Sequence, residues 1–172
     1  MAISASVALN RIGGPAIPAL TRAVSSGSDR VVVHAANALW WMGPGGNPAL
    51  PALLEVVGSE KHSDASRVAA ARTALKIDAA ACRESPVMLS GIPMLIRVLE
   101  HGSFLHQGWA AETLGGIGPA ARDALPMLRK RLKLPSEDVD TGRLVRDYVR
   151  REAEAAISAI ESGSAGNRSD SP

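Results

Sequence analysis

The side chains able to do chemistry are few and scattered. The histidines are His34, His62, His101 and His106. No two stand four apart on one expected helix, the spacing that puts a pair of imidazoles on one face. No set of Asp or Glu accompanies them, so a metal site is not expected, and neither is a cofactor. Cys82 is the single cysteine, which excludes an intrachain disulfide framework and a multi-cysteine zinc site. It lies in an alanine-rich stretch and reads as a small buried filler. No Gly-x-Ser-x-Gly nucleophile motif occurs, and Gly43-Pro44-Gly45-Gly46 has no lysine after it to make a phosphate loop. No catalytic set assembles, and the chain reads as non-enzymatic.

The elements that position these residues are helical. Of 172 residues, 46% are apolar but only 3% aromatic, and 29 are alanine. That balance favours helix over a sandwich or barrel. A net charge of +2 does not demand a nucleic-acid partner. The longest uncharged run, Val31 to Leu54, is broken by Gly43-Pro44-Gly45-Gly46-Asn47-Pro48, too early for a membrane span. The N-terminus has no basic region before its apolar stretch, which makes a poor secretory signal. With the lone cysteine, this points to a cytoplasmic chain.

Four segments share one pattern: Ala16 to Val24, Ala49 to Val57, Gly91 to Leu99 and Ala124 to Leu132. Each runs small, aliphatic, Pro, Ala or Met, Leu, three variable residues, aliphatic. The prolines, Pro18, Pro51, Pro93 and Pro126, are 33, 42 and 33 residues apart. Proline in a first helical turn loses no hydrogen bond, so each segment opens a helix, here called B. A second type, A, precedes it in Ala8 to Gly13, Ala38 to Gly43 and Thr113 to Gly118, with Ala74 to Asp78 a degenerate copy. Glycine after the last apolar residue supplies the left-handed turn. The pattern predicts helices over 2–12, 15–25, 30–42, 48–58, 64–83, 89–101, 105–117, 120–133 and 143–162, with 64–83 longer than its peers. In the last, Val145, Tyr148, Val149, Ala156 and Ile160 form an apolar stripe, and Asp147 and Arg151 stand as an i, i+4 pair. Residues 163–172 form a polar tail expected to be disordered.

The patterns Ala-x-Ala-Leu-x-x-Ile-Gly and Ala-x-x-Ala-Leu-Pro-x-Leu stand here in Ala36-Asn37-Ala38-Leu39, Ile117-Gly118 and Ala121 to Leu128. With the helix opening Val149 to Ile157, they resemble HEAT repeats of the short, phycobilisome-lyase type. Val32 is a departure, where the family often has Arg. The resemblance covers residues 1–162 and implies an armadillo-type, right-handed α-solenoid of about four to four and a half helix pairs. It implies a binding or scaffold role, with B helices lining a concave side that takes a protein or peptide. The alternative is an enzyme or accessory module of bilin-lyase or DNA-glycosylase type. HEAT-like iron hydroxylases carry repeated His-Glu pairs, whereas this chain has only the reversed Glu100-His101.

Two candidate surfaces follow. Four residues after each B-helix proline stand Arg22, Glu55, Arg97 and Lys130, and the last repeat adds Arg129, Arg131 and Lys133. This mostly basic ladder suits an acidic partner, while nucleic acid is disfavoured because Glu55 and Glu100 interrupt it and no aromatics interleave. Trp40 and Trp41 occupy positions held by Asn10 and Arg11, Lys76 and Ile77, and Gly115 and Gly116 in the sister helices. Trp109 aligns with His34. From those counterparts the tryptophans either fill gaps between alanine-rich helices or anchor a partner, with Trp40 expected to be the more exposed and Trp41 the more buried. The first helix, 2–12, has only Arg11 as a charge and enters mid-repeat, so either the chain is a piece of a longer array or that end pairs with something, unless Ser4, Ser6 and Asn10 make a sufficient polar face.

Overall fold

The computed structural model describes residues 13–133 and 140–165, with side chains at 13–133 and 147–163. Everything described is helix and turn, without strands. The expected helix 2–12, with its pairing role, and the tail past residue 165 lie outside the described residues.

Proline sets where each B helix begins. It is the second residue of α1 (Ile17–Ser26), α3 (Leu50–Gly58), α7 (Ile92–His101) and α9 (Leu125–Leu132). The residues ahead of α1, α3 and α9 wind as 3-10 turns, Gly14–Ala16, Gly43–Ala49 and Gly118–Ala124, so those α-helices start later than the pattern predicts. The A helices are α2 (Asp29–Met42), α4 (Asp64–Ile77), α8 (Phe104–Ile117) and α10 (Asp140–Ala165). Two short helices, α5 (Ala79–Glu84) and α6 (Pro86–Ser90), follow α4.

The expected long helix 64–83 is a correction. Asp78 has φ −148° and ψ 91°, which ends α4 at Ile77, and its carboxylate accepts from the Ala81 amide to open α5. At 14 residues α4 matches α2 and α8, also 14 each. Asp78 stands where α2 and α8 have glycine. Lacking glycine's freedom at positive φ, it stops the helix through an extended residue instead.

The chain divides into two compact units, one to Gly91 and one from Ile92. Pro18 and Pro93, and likewise Pro51 and Pro126, stand 75 residues apart, so each unit carries the same B-A-B-A order. In the first, α2 packs on α4, and α4 also packs on α3. Contact on more than one side explains why α4 buries Val68, Ala69, Ala70, Ala71 and Ala74 nearly around its circumference. Thr73, buried among them, donates its hydroxyl to the Ala36 carbonyl of α2 at 3.0 Å. Asp29, in the first turn of α2, accepts from the Ser66 hydroxyl at 2.8 Å and the Ser63 amide at 3.1 Å. Those bonds hold its carboxyl below the ordinary aspartate range. Arg67 closes the other end of α3 by donating to the Val57 carbonyl at 2.9 Å.

In the second unit α8 packs on α10, and Val149, Ala153, Ala156 and Ile160 form the buried stripe of α10. Tyr148 is half-buried, and the Val145 side chain lies outside the described residues. On the outer face Arg150 pairs with Glu154 at 3.2 Å. Arg151 pairs with its neighbour Glu152 at 2.9 Å, so the ion pair forms there and not with Asp147 as expected. Of the expected α9 stripe, Leu128 is buried, and Leu125 and Leu132 are half-buried.

Glycine is required at the A-to-B turns. Gly43 has φ 56° and ψ −137°, and Gly118 has φ 79° and ψ −141°. Each precedes a proline, which drives ψ to the extended range. Combined with positive φ, this is a region essentially reserved for glycine. A Cβ at Gly43 or Gly45 meets no atom within 4 Å, so space is not the issue at either. Gly43→Ala is therefore expected to cost about 1–3 kcal/mol of stability through backbone strain alone. Gly45→Ala, in the same turn but without positive φ, should stay within about 0.5 kcal/mol; chemical denaturation of both variants checks this.

Candidate functional site

The B-helix ladder is exposed but not open. Arg22 and Glu55 face solvent in the first unit, and Arg97, Lys130 and Lys133 in the second. In the basic cluster the Lys130 ammonium lies 3.4 Å from a Glu100 carboxylate oxygen, and Arg129 lies 2.6 Å from Glu161. Arg131 donates to the Glu100 carbonyl at 2.7 Å, capping α7. Most of that cluster is thus engaged within the unit. Surface pairs of this kind contribute little to stability, but they do reduce the field offered to an anion.

The histidines do not converge. His34 and His101 are exposed, His62 lies 3.3 Å from Asp29, and His106 lies 2.8 Å from the Ser103 hydroxyl. Burial pushes the His106 imidazole below its ordinary pKa. Among the described residues no group of three His, Cys, Asp or Glu could hold a metal ion. Cys82 is fully buried, as expected of a filler, and burial followed by the Asp78 charge pushes its thiol up to about 11.

The tryptophans are arranged in the reverse of the expected order. Trp41 is 62% exposed, whereas Trp40 is half-buried with its indole Nε1 shut away from solvent. That nitrogen has no hydrogen-bond partner among the described residues. The Arg72 guanidinium of α4 lies 4.1 Å from the Trp40 ring centroid, and the Lys76 ammonium lies 5.4 Å from it. Both are within cation–π range. Trp41 meets the Trp40 ring edge-on, with centroids 4.9 Å apart and planes at 89°. One A helix thus supplies two rings and the next two cations. Trp109, expected at a polar-tolerant position, is only 7% exposed.

The second unit shows why the counterparts misled. Gly115, the equivalent of Trp40, sits where a Cβ would stand 2.9 Å from the Ala156 Cα of α10. One helical repeat earlier, a Cβ at Gly108 would strike the Tyr148 ring. The Trp40 position therefore faces the neighbouring A helix in both units. It is tight in one and filled by an indole in the other. A small residue in a sister repeat signalled close approach, not solvent. Arg72 and Lys76 were missed as site residues because they act across the helix pair. The pattern within either helix carries no signal of a contact between them.

Comparison with known proteins adds no assignment: no family model, curated protein or solved structure matches the chain. Among the described residues no helix is long and apolar enough to cross a membrane.

The two indoles should separate in thermal melts. Trp40→Ala is expected to cost about 3 kcal/mol, because it empties the space between α2 and α4 and unstacks Arg72. Trp41→Ala should remain within about 0.5 kcal/mol of the parent chain, as an exposed side chain does.

Proposed function

We propose that this chain is a non-enzymatic binding module built from HEAT-like helix pairs, and that it docks a protein or peptide partner on the A-helix surface around Trp41. The single observation that carries the reading is the placement of that indole. A large apolar ring stands 62% exposed while its edge-to-face neighbour fixes its orientation. Tryptophan and arginine are the residues most enriched in interface hot spots, and a ring held in place loses little entropy on binding. Support for the repeat assignment comes from the recurring proline at the second helical position and from the Gly-Pro turns joining A to B. The B-helix ladder of Arg22, Glu55, Arg97, Lys130 and Lys133 has a subordinate place in this reading, because its densest part is already paired within the unit.

Selection of displayed random peptides against the immobilised chain, with the Trp41→Ala variant as counter-target, tests the proposal. Peptides whose affinity falls about 30-fold or more in Trp41→Ala, equivalent to about 2 kcal/mol, are the expected result. Enrichment that is identical on both proteins, or absent from both, would reject it.

A further inference from the structure

Two cations of α4 lie against Trp40, the ring that braces Trp41, and they restrict the partner. In the α2–α4 pair the acidic groups gather at the helix starts. Asp29 is engaged by Ser63 and Ser66 in the first turn of α2, and Asp64 lies 3.9 Å from Arg67 in the first turn of α4. The cations Arg72 and Lys76 stand toward the other end of α4, over the Trp40 ring. Asp78, two residues past Lys76, has its carboxylate turned onto the Ala81 amide of α5. Lys76 is exposed and makes no ion pair among the described residues.

Arg72 and Lys76 are one helical turn apart, about 6 Å along α4. Carboxylates at i and i+4 of a second helix have the same spacing. We infer, on the footing of the binding reading above, that the partner segment is an acidic amphipathic helix. Its carboxylates, one turn apart, meet Arg72 and Lys76, and an apolar side chain between them lies on the open face of Trp41. Trp40 is the positioning residue, since its ring carries the Arg72 guanidinium 4.1 Å from its centroid and braces Trp41 from the side. A single-stranded nucleic acid fits less well. It needs a basic groove tracking several phosphates, and here two cations lie over one half-buried ring.

The test uses the whole chain and three synthetic helical peptides of one design. In each, leucine shares one face with an i, i+4 pair of positions that bear glutamate, glutamine or lysine. Binding is read from tryptophan fluorescence and checked by calorimetry. The glutamate peptide should bind at least tenfold more tightly than the glutamine peptide, and the lysine peptide should not bind. Its affinity should fall as salt rises from 50 to about 500 mM, because exposed charges are screened within about 10 Å. Lys76→Glu should weaken it at least tenfold with the melting temperature kept, and Trp41→Ala should abolish it. Equal, Trp41-dependent binding of the glutamate and glutamine peptides would overturn the acidic assignment and leave the docking reading standing. Loss of the glutamate preference in neither variant would overturn both. Tighter binding of a thymidine dodecamer, again Lys76-dependent, would replace the acidic helix with nucleic acid. A concentration-dependent dimer dissolved by Trp41→Ala would replace it with a second copy of the chain.

Discussion

How closely two successive A helices approach is the constraint on which the rest of each unit depends. The two units share their B-A-B-A order and differ at one aligned position on the face between A helices. At Gly115 the Ala156 backbone leaves no room for a Cβ, and at Gly108 the Tyr148 ring occupies the space itself. At Trp40 an indole fills that position and reaches Arg72 and Lys76 of the neighbouring helix. A small residue at that position and a large one are both ways to satisfy a dense interior. Only the large one leaves an exposed ring, Trp41, edge-on against the ring that holds two cations.

Despite that difference the turns after α2 and α8 are alike. Glycine at positive φ ends α2 and α8, proline follows, and a short 3-10 turn leads into a B helix with proline as its second residue. Polar side chains then close what the helix ends leave open. Arg67 bonds the Val57 carbonyl and Arg131 the Glu100 carbonyl, each reaching from a later helix to the end of an earlier B helix. These contacts fix the frame, and the residues between the A helices decide which surface the frame displays.

Much of this was legible from residue order. Proline spacing marked the B helices, and glycine marked where α2 and α8 stop. The Ala-rich surroundings of Cys82 marked a buried thiol. What failed did so for local physical reasons. Asp78 ends α4 through a cap bond to Ala81 that no hydrophobic period records. Arg151 found Glu152 nearer than Asp147. The exposure of Trp40 and Trp41 is the reverse of the expected order, because tolerance for Asn10, Lys76 or Gly115 at the aligned position does not mean solvent. An aligned glycine is equally the mark of a helix pressed against its neighbour. Deciding between the two needs the partner helix. The Arg72 and Lys76 contribution was invisible for the same reason, since a cation–π contact across two helices leaves no trace within either one.

The claim most open to direct measurement is that Trp40 is enclosed between α2 and α4 while Trp41 stands free. In a Trp109→Phe background, Trp40→Phe leaves only Trp41 to emit, and Trp41→Phe leaves only Trp40. The account predicts long-wavelength emission and strong iodide quenching for Trp41, and short-wavelength, weakly quenched emission for Trp40. If Trp40 is the more readily quenched of the two, the packing of the A helices described above is wrong.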